Sequence, residues 1–209
     1  MAAEATPTPT RVFVYGTLKR GFPNHPLLAA CASPFVGTAS TTAPASLVIG
    51  PYSVPFLLPT PSSSSGRVVS GELYAPSPAA LAELDALEAS ASPASSLDSS
   101  PSLPTLPVWF SPFHSASASS QGTHIGVYER RPITVVTDGS GEVVEAEAYF
   151  AHPSYAEALW RRCGGEAAEI GEYTADHAAR YVPISERATG AAAGLIDAIH
   201  RFLATAPDS

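Results

Sequence analysis

The run Val12-Phe13-Val14-Tyr15-Gly16-Thr17-Leu18-Lys19-Arg20-Gly21, leading into Phe22-Pro23-Asn24-His25, constrains the fold more than any other stretch. Alternating β-branched and aromatic residues predict a short strand, and Gly16 stops it abruptly. The loop behind it has glycine at both ends and a Pro-Asn pair after it. Such a loop offers bare backbone N–H groups at a strand end, an arrangement suited to gripping a small anion. An arbitrary Gly-x4-Gly is more often a plain tight turn. A nucleotide phosphate loop is a poor match, because Phe22-Pro23 follows Gly21 where Lys-Ser/Thr would be needed.

With 209 residues, 45% of them hydrophobic, the chain has material for one domain with a real core. The net charge of −8 and the absence of any Lys/Arg cluster argue against nucleic-acid or anionic-membrane binding. Cys31 and Cys163 are far apart and outside any C-x-x-C context, which predicts buried free thiols in a reducing compartment. No stretch approaches a membrane span, and the first ten residues carry Glu4 and no apolar signal core. A soluble, cytoplasmic protein is the expectation.

Residues 1–10 are an Ala/Thr/Pro tail, expected to be disordered. After the loop, 26–31 predict a turn or two of helix. Strands are expected over 35–42, over 45–58 with a break at Gly50-Pro51, and over 67–74. Ser77-Pro78 then starts a helix, with serine as N-cap and proline at its first position. Leu81, Leu84 and Glu88 fall at i, i+3 and i+7, so Glu88 shares the leucine face while Glu83 points to solvent. A carboxylate desolvated on such a face becomes a competent proton acceptor near neutral pH. The alternative is that the helix ends there and the side chain reaches water. Asp85, on a neighbouring part of that face, reads as a supporting residue.

From 89 to 127 the composition turns Ser/Ala/Pro-rich, with an apolar knot at Val108-Trp109-Phe110 and Phe113. Strands over 131–137 and 142–151 are joined by Asp138-Gly139-Ser140-Gly141, a hairpin signal. Tyr128 and Arg130 at the mouth of the first could line a pocket or form a cross-strand pair facing solvent. A helix over 154–163 has Ser154 and Glu157 at capping-box spacing, Gly164-Gly165 behind it, and Tyr155, Leu159 and Trp160 as its apolar face. A last helix over 190–204 carries Leu195, Ile196, Ile199, Phe202 and Leu203 on one stripe.

No G-x-S-x-G elbow, dinucleotide fingerprint or metal-ligand spacing is present, and His25 and His152 read as structural. One carboxylate on an apolar face and one loop rich in free backbone remain.

The run VYGTLKRG with PNH behind it resembles the signature loop of the γ-glutamylcyclotransferase superfamily, closest to the γ-glutamylamine cyclotransferase branch. The likeness continues in order through Val48-Ile49-Gly50 to Leu58, Gly71-Glu72-Leu73-Tyr74, Leu84-Asp85-Ala86-Leu87-Glu88, Tyr128-Glu129-Arg130 and Arg180-Tyr181-Val182-Pro183. It implies an α+β fold, a compact mixed β-barrel with short flanking helices, over residues 11–187. The low-complexity insertion 89–127 is its main departure, and 188–209 would form an amphipathic helix and tail. The resemblance aligns Glu88 with the family's catalytic acid/base, and Tyr15, Gly16, Thr17 and Leu18 with its substrate-binding loop. It implies cyclisation of a γ-glutamyl amine or γ-glutamyl amino acid to 5-oxoproline, without metal or cofactor. The partner is then a small γ-glutamyl molecule, with no nucleic acid or membrane involved. The alternative is a non-catalytic binding or regulatory protein on the same scaffold, using the insertion as a protein-contact surface.

Overall fold

A computed structural model describes residues 10–59, 64–89, 126–187 and 194–205, with the side chains of 87–89 outside that description. The tail at 1–9, the apolar knot around Trp109 and most of the insertion lie outside the described residues. Among the described residues seven strands form one sheet: β1 (Val12–Val14), β2 (Phe35–Thr41), β3 (Ser46–Ile49), β4 (Pro55–Leu58), β5 (Ser70–Tyr74), β6 (Tyr128–Thr137) and β7 (Val143–Ala151). The order is β1-β5-β2-β6-β7-β4-β3, and β1 also pairs with β7. That extra pairing closes β1, β5, β2, β6 and β7 into a five-stranded barrel, with the β4–β3 hairpin continuing from β7. It is mixed, because β1–β7 and β4–β7 run parallel and the other pairs antiparallel.

Strand alternation explains the layers. Phe13, Tyr15, Leu73, Val135, Val144, Ala146, Ala148 and Phe150 point into the barrel and fill it. Val12, Val14, Tyr74 and Tyr149 point outward, where Leu28 of α1 (His25–Ala30) and Leu84 of α2 (Pro78–Ala89) cover them. The opposite flank is covered by α3 (Pro153–Cys163) and α5 (Leu195–Ala204), whose Tyr155, Leu159, Trp160, Leu195 and Ile199 pack on Val48, Phe56 and Leu58. A single turn, α4 (Ala175–Ala178), follows between them in the chain. No helix among the described residues is long and apolar enough to cross a membrane.

The local signals act largely as the residues dictate. Ser77 Oγ caps α2 by accepting the N–H of Ala80 at 3.2 Å. Gly164 ends α3 in the left-handed conformation at φ 114°. Three expectations need correction. The cap of α3 is His152, whose Nδ1 accepts the N–H of Ser154; proline at the first helical position moves the start one residue upstream, and Glu157 pairs with Arg161. Within the described residues the last helix begins at Leu195, because Gly194 is extended. The thiols of Cys31 and Cys163 are free but only half-buried. Burial still pushes them up, to about 12 for Cys31, which also donates to Glu83, and to about 11 for Cys163.

Candidate functional site

The loop that follows β1 is built around a close approach. A Cβ at Gly16 would stand 2.6 Å from Pro55 Cγ, so only glycine lets the chain pass over β4 there. Beyond it the backbone folds on itself. Lys19 N–H donates to Gly16 O (3.1 Å), Phe22 N–H to Lys19 O (3.0 Å) and Asn24 N–H to Thr17 O (2.9 Å). Arg20 N–H donates to Glu72 Oε2 at 2.9 Å. Among the described residues, no hydrogen bond uses the N–H groups of Gly16, Thr17 or Leu18. Three successive uncommitted donors stand in a loop whose other amides are largely occupied.

The side chains around the loop hold it in that shape. Glu72, 8% exposed on β5, also accepts the hydroxyl of Tyr74 at 2.8 Å and the Arg20 guanidinium at 3.4 Å. Burial, and the carboxylate it bonds, push the Tyr74 phenol well above its ordinary range, so it stays a donor at any physiological pH. Arg20 stacks on Phe35 with its guanidinium carbon 3.5 Å from the ring centre. Lys19 is buried, lies over the Phe22 ring and pairs with Glu172 at 3.2 Å. Asn24 donates to both Thr17 Oγ1 and Tyr181 Oη at 3.0 Å, tying the loop to the closing segment around 181. That segment also fastens a strained turn. Tyr52 and Ser53 are non-glycine residues at φ 60° and 55°, each costing about 1–2 kcal/mol, held by Val182 N–H on Tyr52 O and Tyr173 Oη on Ser53 O.

The helix α2 comes to this loop through an apolar cluster. Leu18 of the loop and Leu81 and Leu84 of the helix pack with Val12, Val14 and Tyr149. The exposed Glu83 is where the helical period predicts it. Asp85 is locked down: it takes two bonds from Arg130, at 2.8 and 3.1 Å, and the hydroxyl of Tyr149 at 2.8 Å. Arg130 also pairs with Glu147. The helix backbone carries position 88 on the face it shares with Leu84 and Asp85, while the Glu88 carboxylate lies outside the described residues.

The loop and the α2 helix are therefore brought to one flank of the barrel. Tyr15 belongs to the site differently from its neighbours. Its ring fills the barrel, and its hydroxyl donates to Tyr149 O at 2.6 Å and accepts Leu57 N–H at 3.4 Å. What it can offer a ligand is backbone. Tyr128 stacks on Phe56 and donates to Pro55 O, and Arg130 bridges a helix to a strand, so neither is the solvent-facing pair that strand alternation allowed. His25 contacts Leu18 O as a structural residue. Glu72 and Tyr149 do not stand out as site residues in the sequence. Glu72 carries a weak signal, a carboxylate flanked by apolar residues in a strand; Tyr149 carries none. No group of side chains among the described residues could hold a metal ion.

A family model described as gamma-glutamyl cyclotransferase, AIG2-like, matches residues 12–174. A protein of Arabidopsis thaliana named "Putative gamma-glutamylcyclotransferase" is 39% identical over 184 residues, 86% of this chain and 85% of that one. Human gamma-glutamylaminecyclotransferase is 47% identical over 81 residues, which span 37% of this chain and 52% of the human protein. Among solved structures, a mouse AIG2-like protein superimposes with a TM-score of 0.57 at 24% identity, covering 84% of this chain and 96% of that one. That likeness is one of fold.

Proposed function

The chain belongs to the AIG2-like family of gamma-glutamyl cyclotransferases, and on that premise we propose that it cyclises a γ-glutamyl amine or γ-glutamyl amino acid to 5-oxoproline, releasing the amine. The observation that carries this reading is the row of uncommitted N–H groups at Gly16, Thr17 and Leu18, beside the helix that bears Glu88. Backbone donors in succession suit an anionic group of the donor molecule, and they need no cationic side chain to do so.

The chemistry asks little more than this. The substrate's own α-amine attacks its γ-carbonyl carbon, the new C–N bond closes a five-membered lactam, and the bond to the departing nitrogen breaks. The nucleophile is tethered, so no covalent enzyme intermediate is required. Well-oriented intramolecular reactions reach effective molarities of about 10⁵ M or more, which leaves the protein to hold the folded conformer. The α-ammonium must lose a proton and the leaving amine must gain one. Glu88 serves both steps, for a general acid–base gain of roughly 10²–10⁴-fold. The nearby Asp85 is committed to Arg130 and Tyr149, which favours Glu88 over it for this role.

A panel of γ-glutamyl donors, with γ-glutamyl-ε-lysine and γ-glutamyl amino acids as its two arms, tests the reading by release of 5-oxoproline. Turnover of either arm is the expected result, and Glu88→Gln should abolish it while the far-UV spectrum and melting temperature hold. Absence of 5-oxoproline from every donor would leave only a binding role for the scaffold.

A further inference from the structure

Tyr149 lies near the end of β7 and touches both halves of the site. Its backbone carbonyl accepts the hydroxyl of Tyr15, the residue immediately before Gly16, at 2.6 Å. Its own hydroxyl donates to Asp85 Oδ1 at 2.8 Å, one helical turn before Glu88. The ring between these two bonds is 7% exposed and packs against the Val12, Val14 and Leu84 cluster. Its strand position is set by register, opposite Arg130 on β6.

We propose that Tyr149 is the positioning residue that sets the distance between the amide loop and the α2 turn carrying Glu88. It acts through Tyr15 on one side and Asp85 on the other. This rests on the reading of Glu88 as the proton carrier.

The physical case is one of stiffness. Arg130 also grips Asp85, but its side chain is long and flexible and is shared with Glu147. A tyrosine ring has no torsion that changes its reach between Cβ and the hydroxyl oxygen, and here it is clamped by packing. The Asp85 side chain is 40% exposed, so without that hydroxyl it has room to shift with its helix. Displacements of about 1 Å at a reacting centre can cost on the order of 10²-fold in rate.

Tyr149→Phe keeps the ring and removes the hydroxyl that bonds Asp85. It should lower kcat for 5-oxoproline release about tenfold, while KM and the affinity for 5-oxoproline, read by calorimetry, stay within about twofold. Asp85→Ala should lower kcat further. The double variant should be no slower than Asp85→Ala alone, since each removes the Tyr149–Asp85 contact. Wild-type kcat in Tyr149→Phe overturns the positioning role, as do losses that multiply in the double variant. Parallel loss of kcat and 5-oxoproline affinity overturns it too, because that marks general loosening. Glu88→Gln separates the two readings. If it still turns over, the proton-carrier assignment fails and takes this proposal with it. If it is inactive, the proton carrier stands, and the outcomes named for Tyr149→Phe and the double variant decide whether the tyrosine positions it.

Discussion

On one flank of the barrel, α3 and α5 press Tyr155, Leu159, Trp160, Leu195 and Ile199 onto Val48, Phe56 and Leu58. On the other, α2 and the Gly16 loop meet the strands through leucines and also through Asp85, Arg130, Glu147, Glu72 and Tyr74. Both flanks cover the same sheet; on the first, the buried Glu169 only borders the apolar contacts through Trp160, whereas on the second ion pairs tie the loop and the helix to the strands. Burying a charge costs free energy unless it is fully bonded, so a cover that only had to stabilise would be made of carbon. The polar flank gains geometry instead. Carboxylates and guanidinium fix where a loop and a helix stand, to within a hydrogen-bond length, which greasy packing does less sharply.

Substitutions on the two flanks should separate stability from activity. The largest effect is expected on the apolar flank. Leu159 is fully buried, and Leu159→Ala should cost about 2–5 kcal/mol in chemical denaturation. Below its melting temperature the variant should keep near-normal kcat; a large loss of kcat in the folded protein would break the division between flanks. On the polar flank, Gly16→Ala forces a Cβ to within 2.6 Å of Pro55 and must displace the loop. KM for a γ-glutamyl donor should rise by about tenfold or more, a penalty of at least about 1.4 kcal/mol in binding, with a smaller change in melting temperature. Unaltered KM would mean that the loop amides do not meet the substrate.

Glu72→Gln is milder. It keeps an acceptor for Arg20 N–H but weakens a charge-assisted bond, so about 1 kcal/mol should be lost, mostly as raised KM rather than as lower stability. The smallest effect concerns Glu169, a buried carboxylate remote from the loop. Burial pushes its pKa up, but hydrogen bonds from Ser64 and Trp160, the nearby Ser46 hydroxyl and the charge of Arg67 outweigh that and hold it below the usual carboxylate range. A folded-state pKa below the unfolded one adds stability that is complete above about pH 5, where the unfolded carboxylate is ionised. That share is lost as pH falls through the folded value. Glu169→Gln should therefore melt lower than the parent at pH 7, and the gap should close in acid, as read by thermal melts across pH. A gap independent of pH would assign the loss to packing.

Much of the barrel was legible in the residues. The β1 strand, the Gly50-Pro51 break, the Asp138–Gly141 hairpin and the serine cap of α2 are short-range chemistry, decided by neighbours in the chain. The apolar stripes of α3 and α5 told which faces would be buried. The Gly16, Thr17 and Leu18 loop could be marked as an anion grip from its composition and family likeness, and Glu88 from helical period and the same likeness. Tyr149 could not. Nothing near it in sequence speaks of Tyr15 or Asp85, and strand alternation alone gives a side, never a partner.

The chain's own order of residues determined where strands, turns and helices begin, because those choices depend on backbone freedom and side-chain period over a few neighbours. Only closure of the barrel decided which elements meet. It paired β1 with β7, set the loop amides and the α2 turn on one flank, and gave Glu72, Arg130 and Tyr149 their partners. Hydrogen bonds between residues 45 to 134 positions apart are products of the sheet's register, which is fixed by the packing of the whole and by no local signal.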